Sequence, residues 1–189
     1  MADDPVAHLL SPAFTARLRA GDGEAFEQLF RGLYSRLADY ACSLLASADA
    51  AEDAVQDVFV AVWDGRERLP EGGRLVGYLY RSVRNRALNQ IRARRTAARW
   101  LAAVEPDPAI APEAELVLED RELEQAYRAA LEEVSPRGRE VFLLSRDHGL
   151  SYPQIAELLG ISVKTVETLM GRVLRALRAR LLPRLDRRP

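Results

Sequence analysis

Cysteine, histidine and lysine are nearly missing from this chain of 189 residues, which holds one Cys, two His and a single lysine, Lys164. Cys42 has no partner for an intramolecular disulfide, and with only His8 and His148 beside it no Cys/His set of zinc-ligand spacing can be assembled. A reducing compartment suits such a chain. Long apolar runs are missing too. Nowhere do about 18 apolar residues follow one another, and Met1 to Leu10 carry two early acids without a basic segment leading into an apolar stretch. A soluble, cytoplasmic protein with no membrane insertion is expected. Period-two runs of Val, Ile and Thr are scarce, which argues against sheet.

A large net charge is also absent, the formal value being −1. That neutrality hides a division along the chain. Residues 1–100 carry 14 Arg against 13 Asp and Glu, residues 101–120 carry no basic residue against 6 acids, and residues 121–189 carry 13 Lys and Arg against 9 acids. An acidic connector thus separates a neutral block from a basic one. The preference for Arg over Lys fits either bidentate phosphate contacts or genome composition.

With 48% hydrophobic residues the chain can bury a core, and apolar residues recur at three- and four-residue spacing almost throughout. One or two helices are expected over 13–47, with Phe26, Leu29, Phe30, Leu33, Tyr34, Leu37, Tyr40 and Ala41 on one side. Another follows over about 50–63. A polar break runs from Asp64 to Gly73, and a long helix continues to about Ala98. Pro106, Pro108 and Pro112 among acids mark an extended linker, after which helices are expected at about 120–134, 137–147, 152–159 and 163–182.

Ser151-Tyr-Pro-Gln154 has the form of a capping box with Pro153 inside the first turn. Gly160 ends that helix, and Ser162 can cap the next. Helix, short glycine turn, helix is the layout of a helix-turn-helix. In the second helix Val163, Val166, Met170, Val173, Leu174, Leu177 and Leu181 share one arc. Lys164, Thr168, Gly171, Arg172, Arg175 and Arg178 occupy the opposite one. A cationic face with small residues in it fits a DNA major groove, where Arg and Lys reach guanine edges and phosphates. The alternative is a solvated outer face of an ordinary bundle.

In the N-terminal block, Asp49-Ala-Ala-Glu52 can cap the helix that follows. Asp53, Gln56, Asp57 and Val60 fall opposite Ala51, Ala54, Val55, Val58, Ala61 and Val62, with Trp63 at the edge. That strip suits a basic partner surface, or is simply solvated. The helix over 75–99 turns Val76, Leu79, Tyr80, Val83, Ala87 and Ile91 one way and Arg81, Arg84, Arg92, Arg95, Arg99 and Leu88 another. Tyr78, Asn85 and Asn89 border the arginines. An aromatic ring and amides beside a phosphate-binding stripe are the parts that hold single-stranded nucleic acid. A packed Tyr78 with acid-paired arginines is the structural alternative.

Two other classes are open to such residues. Glu52, Asp53 and Asp57 are of the type that holds Mg²⁺ in a nuclease, yet no second carboxylate cluster, activated nucleophile or glycine-rich phosphate loop accompanies them. An ordinary helix-turn-helix regulator with a ligand-sensing N-terminal block would call for a concave apolar pocket, against which the arginine stripe speaks.

The segments Ala50-Ala-Glu-Asp-Ala-Val-Gln-Asp-Val-Phe-Val-Ala-Val-Trp63, Gly77-Tyr-Leu-Tyr-Arg-Ser-Val-Arg-Asn-Arg-Ala-Leu-Asn-Gln-Ile-Arg92 and Gly149-Leu-Ser-Tyr-Pro-Gln-Ile-Ala-Glu-Leu-Leu-Gly-Ile-Ser-Val-Lys-Thr-Val166, in that order around an acidic linker, resemble the extracytoplasmic-function (ECF) sigma factors of bacterial RNA polymerase. The resemblance runs from about Phe26 to Leu182. It implies an all-α protein of two small helical domains joined by a flexible acidic linker, the second containing the helix-turn-helix. Residues 13–97 would be region two, 98–117 the linker and 118–184 region four. Neither enzymatic activity nor a cofactor is implied. The implied partners are core RNA polymerase, promoter DNA and an anti-sigma protein. Asp53, Gln56 and Asp57 would meet the polymerase clamp's coiled coil. Tyr78, Arg81, Arg84 and Asn85 would lie beside the loop Asp64–Arg74, which would hold a base flipped from the minus-ten element. Lys164, Thr165, Thr168, Arg172 and Arg175 would read or clamp the minus-thirty-five duplex. Glu167-Thr-Leu-Met-Gly171 departs from the more basic stretch frequent in the family, so promoter preference does not carry over.

Overall fold

The computed structural model describes residues 9, 11–71, 74–101 and 121–185. The chain falls into two compact units, Met1–Pro112 and Glu113–Pro189. Among the described residues there are helices and no strand.

The first unit holds α1 (Pro12–Arg19), α2 (Gly23–Leu45), α3 (Ala48–Asp64), a 3-10 turn (Arg66–Arg68) and α4 (Arg74–Leu101). The expected 13–47 stretch is divided at Gly21, whose φ of +82° suits a residue without a Cβ. Asp22 then caps α2 by accepting from the backbone N–H groups of Glu24 (2.9 Å) and Ala25 (3.2 Å). Between α2 and α3 the chain turns through Ala46 at φ 52°, ψ 31°, a left-handed conformation in a residue that carries a methyl group. α3 begins earlier than its sequence suggests. Ser47, rather than Asp49, is the N-cap, its hydroxyl accepting from Ala50 N–H at 3.4 Å, and Asp49 sits in the first turn where its negative charge complements the positive end of the helix dipole.

Leu29, Leu33, Leu37 and Tyr40 of α2 meet Ala54, Val55, Val58 and Val62 of α3 and Leu75, Leu79, Tyr80 and Val83 of α4 in a buried core. Each large apolar side chain so buried contributes about 1.5–3 kcal/mol relative to exposure. The Tyr40 and Tyr80 rings pack 5.4 Å apart, and burial pushes the Tyr80 hydroxyl well above the usual phenol range. α4 continues to Leu101, three residues past its expected end, because no Pro or Gly interrupts Arg92–Leu101. The rest of the expected linker, 102–117, lies outside the described residues.

The second unit holds α5 (Arg121–Glu132), α6 (Pro136–Arg146), α7 (Tyr152–Leu159) and α8 (Val163–Leu185). Its core is built by Ala126, Ala130, Val141, Leu144, Ile155, Leu159, Val166, Met170 and Val173. Arg139 Nε donates to the Leu131 carbonyl at 3.0 Å, and Arg137 donates to the Leu159 carbonyl, so both of the arginines that open α6 satisfy carbonyls at the ends of neighbouring helices.

Candidate nucleic-acid and partner surfaces

The α7–α8 pair is set by local chemistry. Gln154 Oε1 accepts from the Ser151 backbone N–H (2.9 Å) and hydroxyl (2.7 Å), closing the capping box. Gly160 adopts the left-handed conformation, φ 65° and ψ 39°, and the Ser162 hydroxyl accepts from Thr165 N–H at 3.1 Å. These turns seat Val166, Met170, Val173 and Leu177 inward, which leaves Lys164, Thr165, Thr168, Arg172, Arg175 and Arg178 exposed. Lys164 is 86% exposed at its side chain and has Glu167 at 3.4 Å. Thr168 donates its hydroxyl to the Lys164 carbonyl at 2.9 Å, while Thr165 and Ser162 share a hydroxyl contact at 2.8 Å. Both threonines therefore serve their own helix and keep acceptor lone pairs for a ligand. A Cβ added at Gly171 would meet nothing within 4 Å. The outer face is thus a cationic ridge with a notch in it, a shape suited to a nucleic-acid groove.

On the first unit, Tyr78 is 41% exposed, and Asn85 and Asn89 are exposed beside it. With Asp57, Val58 and Ala61 of α3 they line a groove of ≈ 240 Å³. An aromatic wall, amide groups and an apolar floor are what an unpaired base needs for stacking and edge recognition. The structure brings Tyr78 and Asn85 together here. Arg81 and Arg84, the first exposed and the second half-buried, lie on the other side of Tyr78 and do not line the groove. Ser82 and Arg86 do line it, although neither stood out in the sequence; their spacing of four and eight residues from Tyr78 was the available signal.

The strip on α3 is exposed at Asp53, Gln56 and Asp57, and Val60 is 61% exposed within it. Asp57 also reaches across to α4, its carboxylate 3.0 Å from Arg86. The expected inward faces need correcting at three residues, one of them Val163 at the start of α8, which is 39% exposed. Ala61 is exposed because it stands at the lip of the groove, and Phe30 is 37% exposed because it sits at the rim of the α2 arc. Phe59, which the sequence reading passed over, is buried. It centres an aromatic cluster, 4.9 Å from Phe30, 6.1 Å from Phe26 and 6.3 Å from Tyr34.

Among the described residues no group of three or more His, Cys, Asp or Glu is placed to hold a metal ion, and no helix is long and apolar enough to cross a membrane.

Residues 29–97 match the family described as Sigma-70 region 2, and residues 124–177 match Sigma-70, region 4. The chain is 30% identical over 146 residues to the RNA polymerase sigma factor CarQ of Myxococcus xanthus, covering 77% of this chain and 83% of that protein. It is 31% identical over 185 residues to the RNA polymerase sigma factor CnrH of Cupriavidus metallidurans, covering 90% and 92%. Solved structures are similar as well, two of them as follows. The sigma factor RpoE in complex with the anti-sigma factor NepR from Bartonella quintana has a TM-score of 0.64 at 27% identity, over 82% of this chain and 96% of that one. CnrH in complex with the cytosolic domain of CnrY has a TM-score of 0.62 at 28% identity, over 90% and 96%.

Proposed function

Because this chain belongs to the RNA polymerase sigma factors of the ECF type, we propose that it joins core RNA polymerase, directs it to a promoter and helps to open the DNA there, with no chemistry of its own. The observation that carries this reading is the joint presence of a region-two match and a region-four match whose outward faces are, respectively, a base-sized groove and a cationic ridge.

The residue assignments follow from that. Lys164, Thr165, Thr168, Arg172 and Arg175 hold the upstream duplex. Tyr78 and Asn85 receive an unpaired base of the minus-ten element, while Arg81 and Arg84 neutralise its backbone from the other side of the ring. Asp53, Gln56 and Asp57 dock on a basic surface of the polymerase. The domains run over 13–97 and 118–184, with 98–117 as the tether, and the protein works in the cytoplasm beside its enzyme. Of the similar solved structures, one holds the sigma factor RpoE with the anti-sigma factor NepR and another holds CnrH with the cytosolic domain of CnrY. An anti-sigma protein is proposed here by analogy.

The test is reconstituted transcription. Purified chain added to core polymerase with a library of genomic promoters should yield discrete run-off products that core alone does not make. Absence of products across the library, with the chain bound to core, would overturn the reading.

A further inference from the structure

The connection between α3 and α4 is tied down at both ends by side chains. At its start Arg66 Nη1 donates to the Trp63 carbonyl at 2.8 Å, and the guanidinium lies over the Trp63 ring, 4.9 Å from its centroid. At its far end the anchor comes from α1, fifty residues earlier. Arg19 Nε donates to the Leu69 carbonyl at 3.0 Å, a second guanidinium nitrogen donates to the same oxygen, and Nη1 donates to Glu71 Oε1 at 2.7 Å. The Leu69 side chain is buried, whereas Glu67 and Arg68 between the two anchors point outward. The α1–α2 corner presses on the same connection, since a Cβ at Gly21 would lie 3.3 Å from Arg66 Nε.

A planar guanidinium that meets a carbonyl and a carboxylate together fixes direction as well as distance, which an ammonium group cannot do. α1 is itself held by Phe14 and Leu18, both buried, and capped by Ser11. The brace therefore transmits the rigidity of a packed helix to a surface connection. Without such a brace, part of the binding energy would go into ordering the connection.

We propose that Arg19 is a positioning residue that presets the 64–71 connection for capture of a base displaced from the promoter's minus-ten element, a different base from the one received in the Tyr78–Asn85 groove. The proposal rests on the sigma-factor reading above and adds to it the part played by α1: base selectivity at the loop depends on a brace supplied from a neighbouring packed helix.

The experiment uses the full chain bound to core polymerase and a promoter series in which each minus-ten position carries each of the four bases, with opening followed by permanganate reactivity of unpaired thymines. Arg19→Ala should slow opening of the best promoter by about tenfold. It should also compress the spread between best and worst base at one position, while core affinity and binding of the upstream duplex stay at the wild-type level. Arg19→Lys should recover the spread only partly. Arg17→Ala, on the same helix but directed at Asp22, should keep it whole. Equal slowing on every promoter with the spread intact would overturn the proposal, as would Arg17→Ala reproducing the Arg19→Ala pattern. Should Arg19→Ala fail to fold, Glu71→Gln, altering only the half-exposed arm of the brace, carries the same comparison with a smaller expected compression. A wild-type chain that binds core but opens no promoter in the series would sink the sigma-factor reading itself, which the variants do not address.

Discussion

Gly171 lies inside α8, where a glycine lowers helix stability by roughly 1 kcal/mol relative to alanine. Nothing in the protein crowds it. Gly171→Ala should therefore raise the melting temperature of the second unit and at the same time weaken binding to an upstream duplex several-fold; a gain in stability with unchanged DNA binding would place that notch away from the nucleic acid. Asp22 offers a second residue-level check. The hydrogen bond from Arg17 (Nε to Oδ2, 2.6 Å), followed by the backbone donor of Ala25, holds its carboxyl below the ordinary carboxylate value. A depressed pKa contributes stability that is present above the unfolded value of 3.8 and is lost as pH falls through the lower folded value. Acid unfolding of the first unit should thus be shallower below pH 4 in Asp22→Asn, which keeps a capping oxygen without the titration. Single residues were legible in the sequence where their partners are close in the chain: Ser151, Gln154, Gly160 and Ser162 all act within a few positions of themselves. Arg19 and the Asp57–Arg86 pair were not, because their partners lie about fifty and thirty residues away and only the packed helices bring them together.

The elements separate two tasks that the proposed function requires to be separable. Arg172→Ala with Arg175→Ala should reduce upstream-duplex binding at least tenfold, since two phosphate or base contacts are lost, while co-purification with core polymerase is kept. Asp53→Lys should do the converse. Asp53 is the cleaner choice over Asp57, because reversal at Asp57 also breaks the contact with Arg86, although an exposed pair of this kind contributes only about 0–1 kcal/mol. Loss of both functions in either variant would indicate damage to the fold. At this scale helical periodicity identified the buried centres of α3, α4 and α8 from the sequence, but not their rims. Phe30 and Ala61 sit at arc edges, where a small rotation of the helix decides between core and solvent, and that rotation is set by the neighbouring helix.

The whole molecule carries two cores built from separate stretches of chain. Both tryptophans, Trp63 and Trp100, belong to the first unit, and the second has only tyrosine and phenylalanine for a chromophore. Thermal unfolding followed by tryptophan emission should therefore report one transition, while far-ultraviolet circular dichroism reports the melting of both units; coincident curves together with equal van't Hoff and calorimetric enthalpies would mean that the units unfold as one. The two-block organisation was readable from charge and proline alone, because an acidic, proline-bearing segment cannot bury enough apolar surface to join a core. The ties inside each block were not, being a matter of three-dimensional neighbours.

The α2–α3 corner leaves one last consequence. Ala46 keeps its left-handed twist against its own methyl group, a conflict worth about 1–2 kcal/mol, of which glycine would give back about half through its looser unfolded state. A single codon change there, Ala46→Gly, should lift the tryptophan-reported transition by a few degrees while leaving the groove, the acidic strip and the brace unaltered. The heat resistance of the first unit is thus adjustable at a corner that supplies none of the side chains named for the groove, the strip or the brace.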